Sequence, residues 1–176
     1  MAATSNRAKW LTPFLWISVT AWGIALGGKL FEFVVVMPSW AANPPESLTL
    51  MPYGPRYPFN PGDFFQPLGP VALVGCVGAL YCGWYAPSRF KVLLWLQVAV
   101  LLLTAIATPT LFWPIITDLY RAGTGTAPLS ESALHVLVSK WYWYDGIRTA
   151  FGVLAFACSL HALRSEEHTS ELQSPI

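Results

Sequence analysis

The sequence predicts an all-α membrane protein that folds as a four-helix transmembrane bundle. Of its 176 residues, 55% are hydrophobic, only 11% are charged, and nine are Trp. Soluble domains carry about 25% charged residues, so this composition excludes an ordinary soluble protein. Four apolar segments are long enough to cross the hydrocarbon core of a bilayer, at about 1.5 Å of rise per residue. They cover about 13–36, 69–86, 92–113 and 146–163, and we expect a single domain over residues 1–163.

The last residues do not read as part of a membrane domain. The stretch "RSEEHTSELQS", Arg164–Ser174, follows an apolar helix without a linker. Read back through the genetic code, it resembles a translated sequencing adapter. We interpret 164–176 as a non-native tail and exclude it from the fold prediction. Without that tail the chain has nine basic and six acidic residues, a net charge of +3.

The basic residues predict the orientation in the cell membrane. Arg7 and Lys9 precede the first span, and Arg89 and Lys91 lie in the short link "APSRFK" between the second and third spans. Lys and Arg are enriched in cytoplasmic loops. We therefore expect both termini in the cytoplasm and the two longer connections outside. The first span is expected to be retained, because no small-x-small site that a signal peptidase would cut ends it.

The first outer connection, about residues 37–70, is rich in proline and aromatic residues. Prolines argue against a long helix here, and aromatic residues argue against a disordered linker. We expect an ordered lid across the outer mouth of the bundle, with Asp63 capping a helical turn that begins at Phe64. The prolines stand at positions 38, 44, 45, 52, 55, 58, 61, 67 and 70.

The second outer connection contains an apolar stripe with the spacing i, i+3, i+4, i+7, which predicts a short amphipathic helix at the outer interface. Ser130 is placed to cap its N-terminus. The following "WYWY", residues 141–144, is expected to form an aromatic belt where the fourth span begins. The stripe consists of Leu134, Leu137, Val138 and Trp141.

Two acid–base pairs interrupt the apolar first and fourth spans. Lys29 and Glu32 lie in "GGKLFEF", and Asp145 and Arg148 lie in "YDGIR". The two cations share a depth of about 10 Å below the outer ends of their spans. A charge at the bilayer centre costs about 2.5–3.5 kcal/mol on insertion scales. We predict that the four side chains meet in an outward-facing polar pocket and, together with Trp141, bind a ligand.

An alternative interpretation gives these charges a purely structural role. Two local i,i+3 ion pairs, or a cross-helix network such as Glu32–Arg148, would fix how the helices pack. A solvent-accessible cavity of a few hundred Å3 beside Lys29 and Arg148 would favour the binding site, whereas ion pairs sealed without a void would favour the structural role.

Small residues and one proline predict the packing of the spans. Gly23 and Gly27 have the GxxxG spacing, which lets another helix of the same chain approach closely. Pro109 is expected to kink the third span, and a hydroxyl of Thr104 or Thr108 is expected to bind a carbonyl freed by the kink. Further glycines of the first two spans are Gly28, Gly75 and Gly78.

The chain lacks the motifs of metal, nucleotide and nucleic-acid binding. It has no HExxH, no Cys/His cluster, no phosphate loop, no nucleophile elbow and no basic patch. We therefore expect no metal, no cofactor and no nucleic-acid partner, and the lipid bilayer as its surroundings. Cys76, Cys82 and Cys158 are interpreted as small core residues.

From about Trp10 to Leu163 the chain resembles the anthrone-oxygenase-like family of small four-helix bacterial membrane proteins. The matching features are a small-residue first helix that leaves through Pro38-Ser39-Trp40, and a last helix that begins with Trp141, Asp145 and Arg148. The resemblance implies cofactor-independent oxidation of polycyclic phenolic, anthrone-like substrates.

Three functions follow from these residues. The first is binding of a small lipophilic or amphipathic molecule over a floor of the four charged side chains. The second is an oxygenase in which Glu32 or Asp145 accepts a proton while Lys29 and Arg148 stabilise the resulting anion. The third is an accessory subunit whose aromatic lid docks a protein partner.

Overall fold

A computed structural model describes the backbone of residues 2–53 and 57–173, and the side chains of residues 9–53 and 57–167. In this part of the chain the structure is an all-α four-helix bundle without strands. The helices are α1 (Ala2–Phe31), α2 (Met37–Ala41), α3 (Pro61–Cys82), α4 (Ser88–Ala107), α5 (Trp113–Gly123) and α6 (Glu131–Gln173).

Two π-helical turns join the shorter helices into long ones. The turn Glu32–Val36 carries α1 into α2, and the turn Thr108–Phe112 carries α4 into α5. Four helical segments are consequently long and apolar enough to cross a membrane, which confirms the predicted number and gives the chain the build of a multi-pass membrane protein. They cover Lys9–Ala41, Pro61–Cys82, Ser88–Gly123 and Glu131–Glu167.

The prediction that proline excludes a long helix is wrong for the end of the first connection. Pro61 is the first residue of α3, where a missing N–H costs nothing. Pro67 and Pro70 lie inside α3, as membrane helices tolerate when neighbouring groups satisfy the freed carbonyls. The second span therefore begins earlier than expected and ends at Cys82.

Asn60, not Asp63, caps α3. The backbone N–H of Gly62 donates to Asn60 Oδ1 at 2.8 Å, and the backbone N–H of Asn60 donates to Asp63 Oδ2 at 2.8 Å. This reciprocal pair is a capping box, with Asp63 in the first helical turn. The expected cap is displaced toward the N-terminus because the helix begins at Pro61 instead of Phe64.

The residues predicted to form a separate interfacial helix are the first turns of α6, which runs without a break from Glu131 to Gln173. The reason is local: no proline occurs between Glu131 and Leu163 to end the helix. Ser130 does cap it, since its Oγ accepts the backbone N–H of Ala133 at 3.3 Å.

The described residues cluster into two compact units. Unit 1 comprises Met1–Leu26, Gln66–Leu102 and Phe151–Ile176, and unit 2 comprises Gly27–Phe65 and Leu103–Ala150. Each unit has its own apolar core. Buried members of the unit 1 core include Leu15, Trp22, Cys76, Leu94 and Ala155. Buried members of the unit 2 core include Met37, Trp40, Phe112, Leu119 and Trp141.

Glycine permits close helix packing at some of the predicted positions. In unit 1, a Cβ at Gly75 would lie 2.6 Å from the backbone N of Ser18, so α1 and α3 touch through their backbones. In unit 2, a Cβ at Gly28 would lie 2.5 Å from the ring of Phe64. Gly27 has no such neighbour within 4 Å, so only part of the predicted glycine motif is in contact.

Candidate functional site

The four charged residues predicted to meet do meet, in unit 2. The ammonium Nζ of Lys29 lies 2.6 Å from Glu32 Oε2 and 2.8 Å from Asp145 Oδ1. Arg148 donates to Asp145 Oδ1 from Nε, at 3.1 Å, and from Nη2. Both local i,i+3 pairs therefore form, and the cross-helix contact is Lys29–Asp145, not the expected Glu32–Arg148. We call these four side chains the charge cluster.

The charge cluster is buried and electrically balanced. Asp145 is fully buried, Glu32 is 6% exposed and Lys29 is 8% exposed, while the side chain of Arg148 is 20% exposed. Two cations face two anions, so the formal charge of the cluster is zero. Burying one unpaired charge costs several kcal/mol, and mutual pairing is what allows the four side chains to stay inside.

The two oxygens of Asp145 have unequal surroundings. Lys29 Nζ, Arg148 Nε and Arg148 Nη2 all converge on Oδ1. Oδ2 is equally buried, but it makes no hydrogen bond with any residue that the structure describes. An arginine that bound a carboxylate side-on would use both oxygens, whereas here one oxygen takes every cationic contact.

Tyr53 is part of the site, and sequence reasoning missed it. Its hydroxyl donates to Glu32 Oε1, the oxygen that Lys29 does not contact. Removal from water raises the pKa of the Tyr53 phenol well above its usual value, and the negative charge of Glu32 raises it further. The phenol is therefore a hydrogen-bond donor to Glu32 at neutral pH. Its position in the aromatic-rich first connection was a signal, but a loop without periodicity does not show which aromatic residue faces inward.

Aromatic rings surround these groups. The guanidinium Cζ of Arg148 lies 3.9 Å from the centroid of the Phe112 ring, and Lys29 Nζ lies 5.7 Å from that of Phe65. Both distances fall in the range of cation–π attraction. Tyr53 and Phe112 each make an edge contact with Trp141, at 6.2 Å and 5.3 Å between ring centroids.

The predicted place of Trp141 in a surface belt is wrong. Trp141 is only 1% exposed and packs edge-on against Trp40, with 6.1 Å between ring centroids. The physical reason lies in its own periodicity, because it is the i+7 member of the stripe that begins at Leu134 and shares that stripe's buried face. Trp143, two residues later, is 72% exposed. Trp141 thus contacts Tyr53 and Phe112, which in turn contact the charge cluster.

Both π-helical turns contribute a residue to this site. Glu32 opens the first turn, and Phe112 closes the second. Pro109 lies in that second turn, and the Thr108 hydroxyl donates to the carbonyl of Thr104 at 2.8 Å, as predicted. Such turns insert an extra residue into a helix and are frequent at functional sites.

Other polar candidates lie apart from the charge cluster. Asp63, Asp118 and His135 are exposed, with His135 Nε2 3.7 Å from Glu131. Among residues with described side chains, no group of three or more His, Cys, Asp or Glu could hold a metal ion. An apolar groove of about 300 Å3 lies in unit 1, lined by Trp16, Ile17, Thr20, Ala21, Ile24, Leu68 and Val71.

Unit 1 contains a second buried polar group, which is neutral. Ser18 Oγ donates to Gln97 Oε1 at 2.7 Å, and Cys76 Sγ lies 3.7 Å from the same oxygen. Gln97 Nε2 donates to the carbonyl of Leu93 on its own helix at 3.2 Å. All three side chains are fully buried. We call Ser18, Cys76 and Gln97 the neutral cluster.

No protein family, curated protein or solved structure matches the chain. What the protein does is therefore argued from the geometry of its own residues.

Proposed function

We propose that the chain is a multi-pass protein of the cell membrane, with both termini in the cytoplasm, that binds a small lipophilic or amphipathic molecule at the charge cluster of unit 2. One observation carries the proposal: the charged residues of two membrane-spanning helices are buried together under a loop tyrosine that binds one of them. Ionisable residues inside membrane spans are rare and mark functional sites by default.

A purely structural role explains this arrangement less well. Replacing a buried ion pair by apolar residues of similar volume is often neutral or stabilising, so helix packing alone does not require four charges. The two π-helical turns that deliver Glu32 and Phe112 also favour a binding site, because they add residues that plain helix packing does not need.

The first experiment compares the wild-type protein with a variant whose charge cluster is made apolar by Lys29→Met, Glu32→Leu, Asp145→Leu and Arg148→Met. Because all four charges leave together, no unpaired charge remains and the variant is expected to fold. The probe is 1-naphthol, a small lipophilic phenol, and its dissociation constant is measured by calorimetry with both purified proteins in the same detergent.

We expect the wild type to bind 1-naphthol at least tenfold more tightly than the apolar variant. Partition of the probe into detergent is common to both samples and cancels in the comparison. Equal dissociation constants, with the apolar variant folded, would show that the charges only hold the helices and would refute the proposed function.

A second candidate function, cofactor-independent oxidation of an anthrone-like substrate, is favoured by one contact. The phenol of Tyr53 rests on Glu32 while Lys29 holds the other oxygen of the same carboxylate. A carboxylate and a cation that hold one phenol suit a phenolic substrate, with Glu32 accepting its proton and Lys29 stabilising the anion. Asp145 with Arg148 is the corresponding pair on α6.

This oxidation is balanced without a cofactor, since O2 converts a ring CH2 into a carbonyl and leaves as one water. Purified protein is incubated with anthrone under oxygen, and formation of the quinone is followed by absorbance. Proton abstraction by Glu32 predicts a rate at least 100-fold lower for Glu32→Gln. If Glu32→Gln and Asp145→Asn both react at the wild-type rate, the enzyme hypothesis fails while the binding proposal stands.

A further inference from the structure

The bonding of the charge cluster leaves one acceptor unused. Glu32 accepts from Lys29 on Oε2 and from Tyr53 on Oε1. Asp145 receives both cations on Oδ1, and its buried Oδ2 has no hydrogen-bond partner among the described residues. Most buried polar atoms in native proteins are paired, and a buried carboxylate oxygen is among the most costly to leave without a donor.

The charge balance restricts what can supply that donor. Each cation already contacts a carboxylate, so an anionic ligand would bring an unbalanced negative charge beside the oxygen of Asp145. A cationic ligand would leave the buried site with a net positive charge. A neutral hydroxyl or N–H group can donate to Oδ2 without changing the charge of the site.

The rings that contact the cluster indicate the remainder of the ligand. Phe65 faces Lys29, Phe112 faces Arg148, and Trp141 packs on Tyr53. Aromatic walls with a few fixed polar atoms are typical of sites for apolar ligands that are oriented by one or two hydrogen bonds.

Resting on the proposed function, we infer that the ligand is a neutral, lipophilic hydrogen-bond donor, an alcohol, phenol or amide, whose O–H or N–H donates to Asp145 Oδ2. Asp145 is then the residue that determines specificity for a donor over an ether, a hydrocarbon or a carboxylate. Lys29 and Arg148 hold its Oδ1 and so keep Oδ2 turned to the ligand.

The test uses four probes that share one ring system: 1-naphthol donates a hydrogen bond, 1-methoxynaphthalene only accepts, naphthalene does neither, and 1-naphthoate is an anion. Each dissociation constant is measured at about pH 7 for the wild type and for the apolar variant, and their ratio removes the differences in detergent partition. A hydrogen bond to a charged group predicts a ratio for 1-naphthol roughly 10- to 100-fold more favourable than for 1-methoxynaphthalene or naphthalene.

A second variant reverses the preference. In Lys29→Met with Asp145→Asn the cluster stays electrically balanced, with Glu32 and Arg148 as its charges. Because Arg148 requires an oxygen at the Oδ1 position, the amide NH2 takes the place of Oδ2 and becomes a donor. We expect this variant to prefer 1-methoxynaphthalene over 1-naphthol.

The outcomes separate the inference from the function on which it rests. If no probe binds the wild type more tightly than the apolar variant, the proposed function fails and the inference with it. If the probes bind but 1-naphthol has no advantage, or 1-naphthoate binds most tightly, the function stands and the inference is overturned, with water as the partner of Oδ2. The wild-type comparison decides this even if the double variant does not fold.

Discussion

The neutral cluster of unit 1 and the charge cluster of unit 2 solve the same problem differently. Both bury polar side chains on helices that are apolar enough to cross a membrane. In the neutral cluster, Gln97 accepts from Ser18 and donates to the carbonyl of Leu93, so its amide is satisfied on both sides. In the charge cluster, Asp145 Oδ2 is left without a partner among the described residues. The first arrangement is complete without a ligand, and the second is not.

The backbone contacts of unit 1 agree with this difference. Gly75 brings the backbone of α3 against that of Ser18, directly beside the neutral cluster. Interhelical hydrogen bonds and small residues are the usual means of packing membrane helices. Unit 1 therefore has the features of a packing core, whereas the polar residues of unit 2 are joined by a loop residue, Tyr53, that packing does not require.

The largest effect is expected at the centre of the charge cluster. Asp145→Leu leaves Lys29 with one partner and Arg148 with none among the cluster's carboxylates, so we predict a loss of about 3–5 kcal/mol in the free energy of unfolding. It is measured by denaturant unfolding in detergent. The apolar variant, in which the two cations are also removed, should recover most of that loss. A stable Asp145→Leu protein would mean that the cations reach water, contrary to the burial of Lys29.

The sequence was sufficient to predict the four helices and the meeting of the charges. Apolar length and composition determined the helices, and the equal depth of Lys29 and Arg148 followed from the rise per residue. The choice of partners could not be predicted in the same way. It depends on rotation about each helix axis, and the π-helical turn that begins at Glu32 changes that rotation. Lys29 consequently bridges to Asp145, and Arg148 does not reach Glu32 as a salt-bridge partner.

Loop contacts and helix ends were predicted least well. Nothing periodic in the first connection distinguishes Tyr53 from the other aromatic residues there, because inward orientation in a loop is decided by tertiary packing. The long α6 was divided in two because an interfacial stripe and a membrane span have different compositions, although no helix-breaking residue separates them. The backbone follows the absence of a break, not the change in composition.

The next largest effect is expected at Gly75. A Cβ there would lie 2.6 Å from the backbone N of Ser18, and a backbone atom cannot move aside as a side chain can. We predict that Gly75→Ala lowers the free energy of unfolding by about 3 kcal/mol, the upper end of the usual cost of overpacking. Gly69→Ala in the same helix is the matched control, because no atom lies within 4 Å of its added Cβ. The control should be neutral or stabilising by up to about 1 kcal/mol.

A smaller effect is expected for the loop residue of the charge cluster. Tyr53→Phe removes the hydrogen bond to Glu32 while keeping the ring on Trp141. We predict a loss of about 1–2 kcal/mol at neutral pH, since hydrogen bonds to charged groups contribute somewhat more than neutral ones. Tyr57→Phe in the same connection serves as the control, and an equal loss in both variants would contradict a specific role for Tyr53.

The pH dependence of that difference tests the same contact. Burial and the charge of Glu32 raise the pKa of Tyr53 in the folded protein above its unfolded value of 10.0. The stability due to the phenol is therefore fully present below about pH 10 and is lost as the pH rises further, because the unfolded chain then releases a proton that the folded chain retains. The advantage of wild type over Tyr53→Phe should shrink above pH 10. A constant difference up to pH 11 would show that the phenol is not held in this way.

The smallest effect is expected in the neutral cluster. Gln97→Leu removes the acceptor of the Ser18 hydroxyl, but a serine in a helix can donate to the carbonyl four residues earlier, and no charge is left unpaired. We predict a loss of about 1 kcal/mol in the free energy of unfolding, near the average for interhelical hydrogen bonds in membranes, and unchanged dissociation constants for the naphthalene probes. A loss as large as that of Asp145→Leu, or a changed preference among the probes, would remove the distinction between a packing cluster and a binding cluster. The same substitution thus measures how much a complete polar network contributes where only packing is at stake.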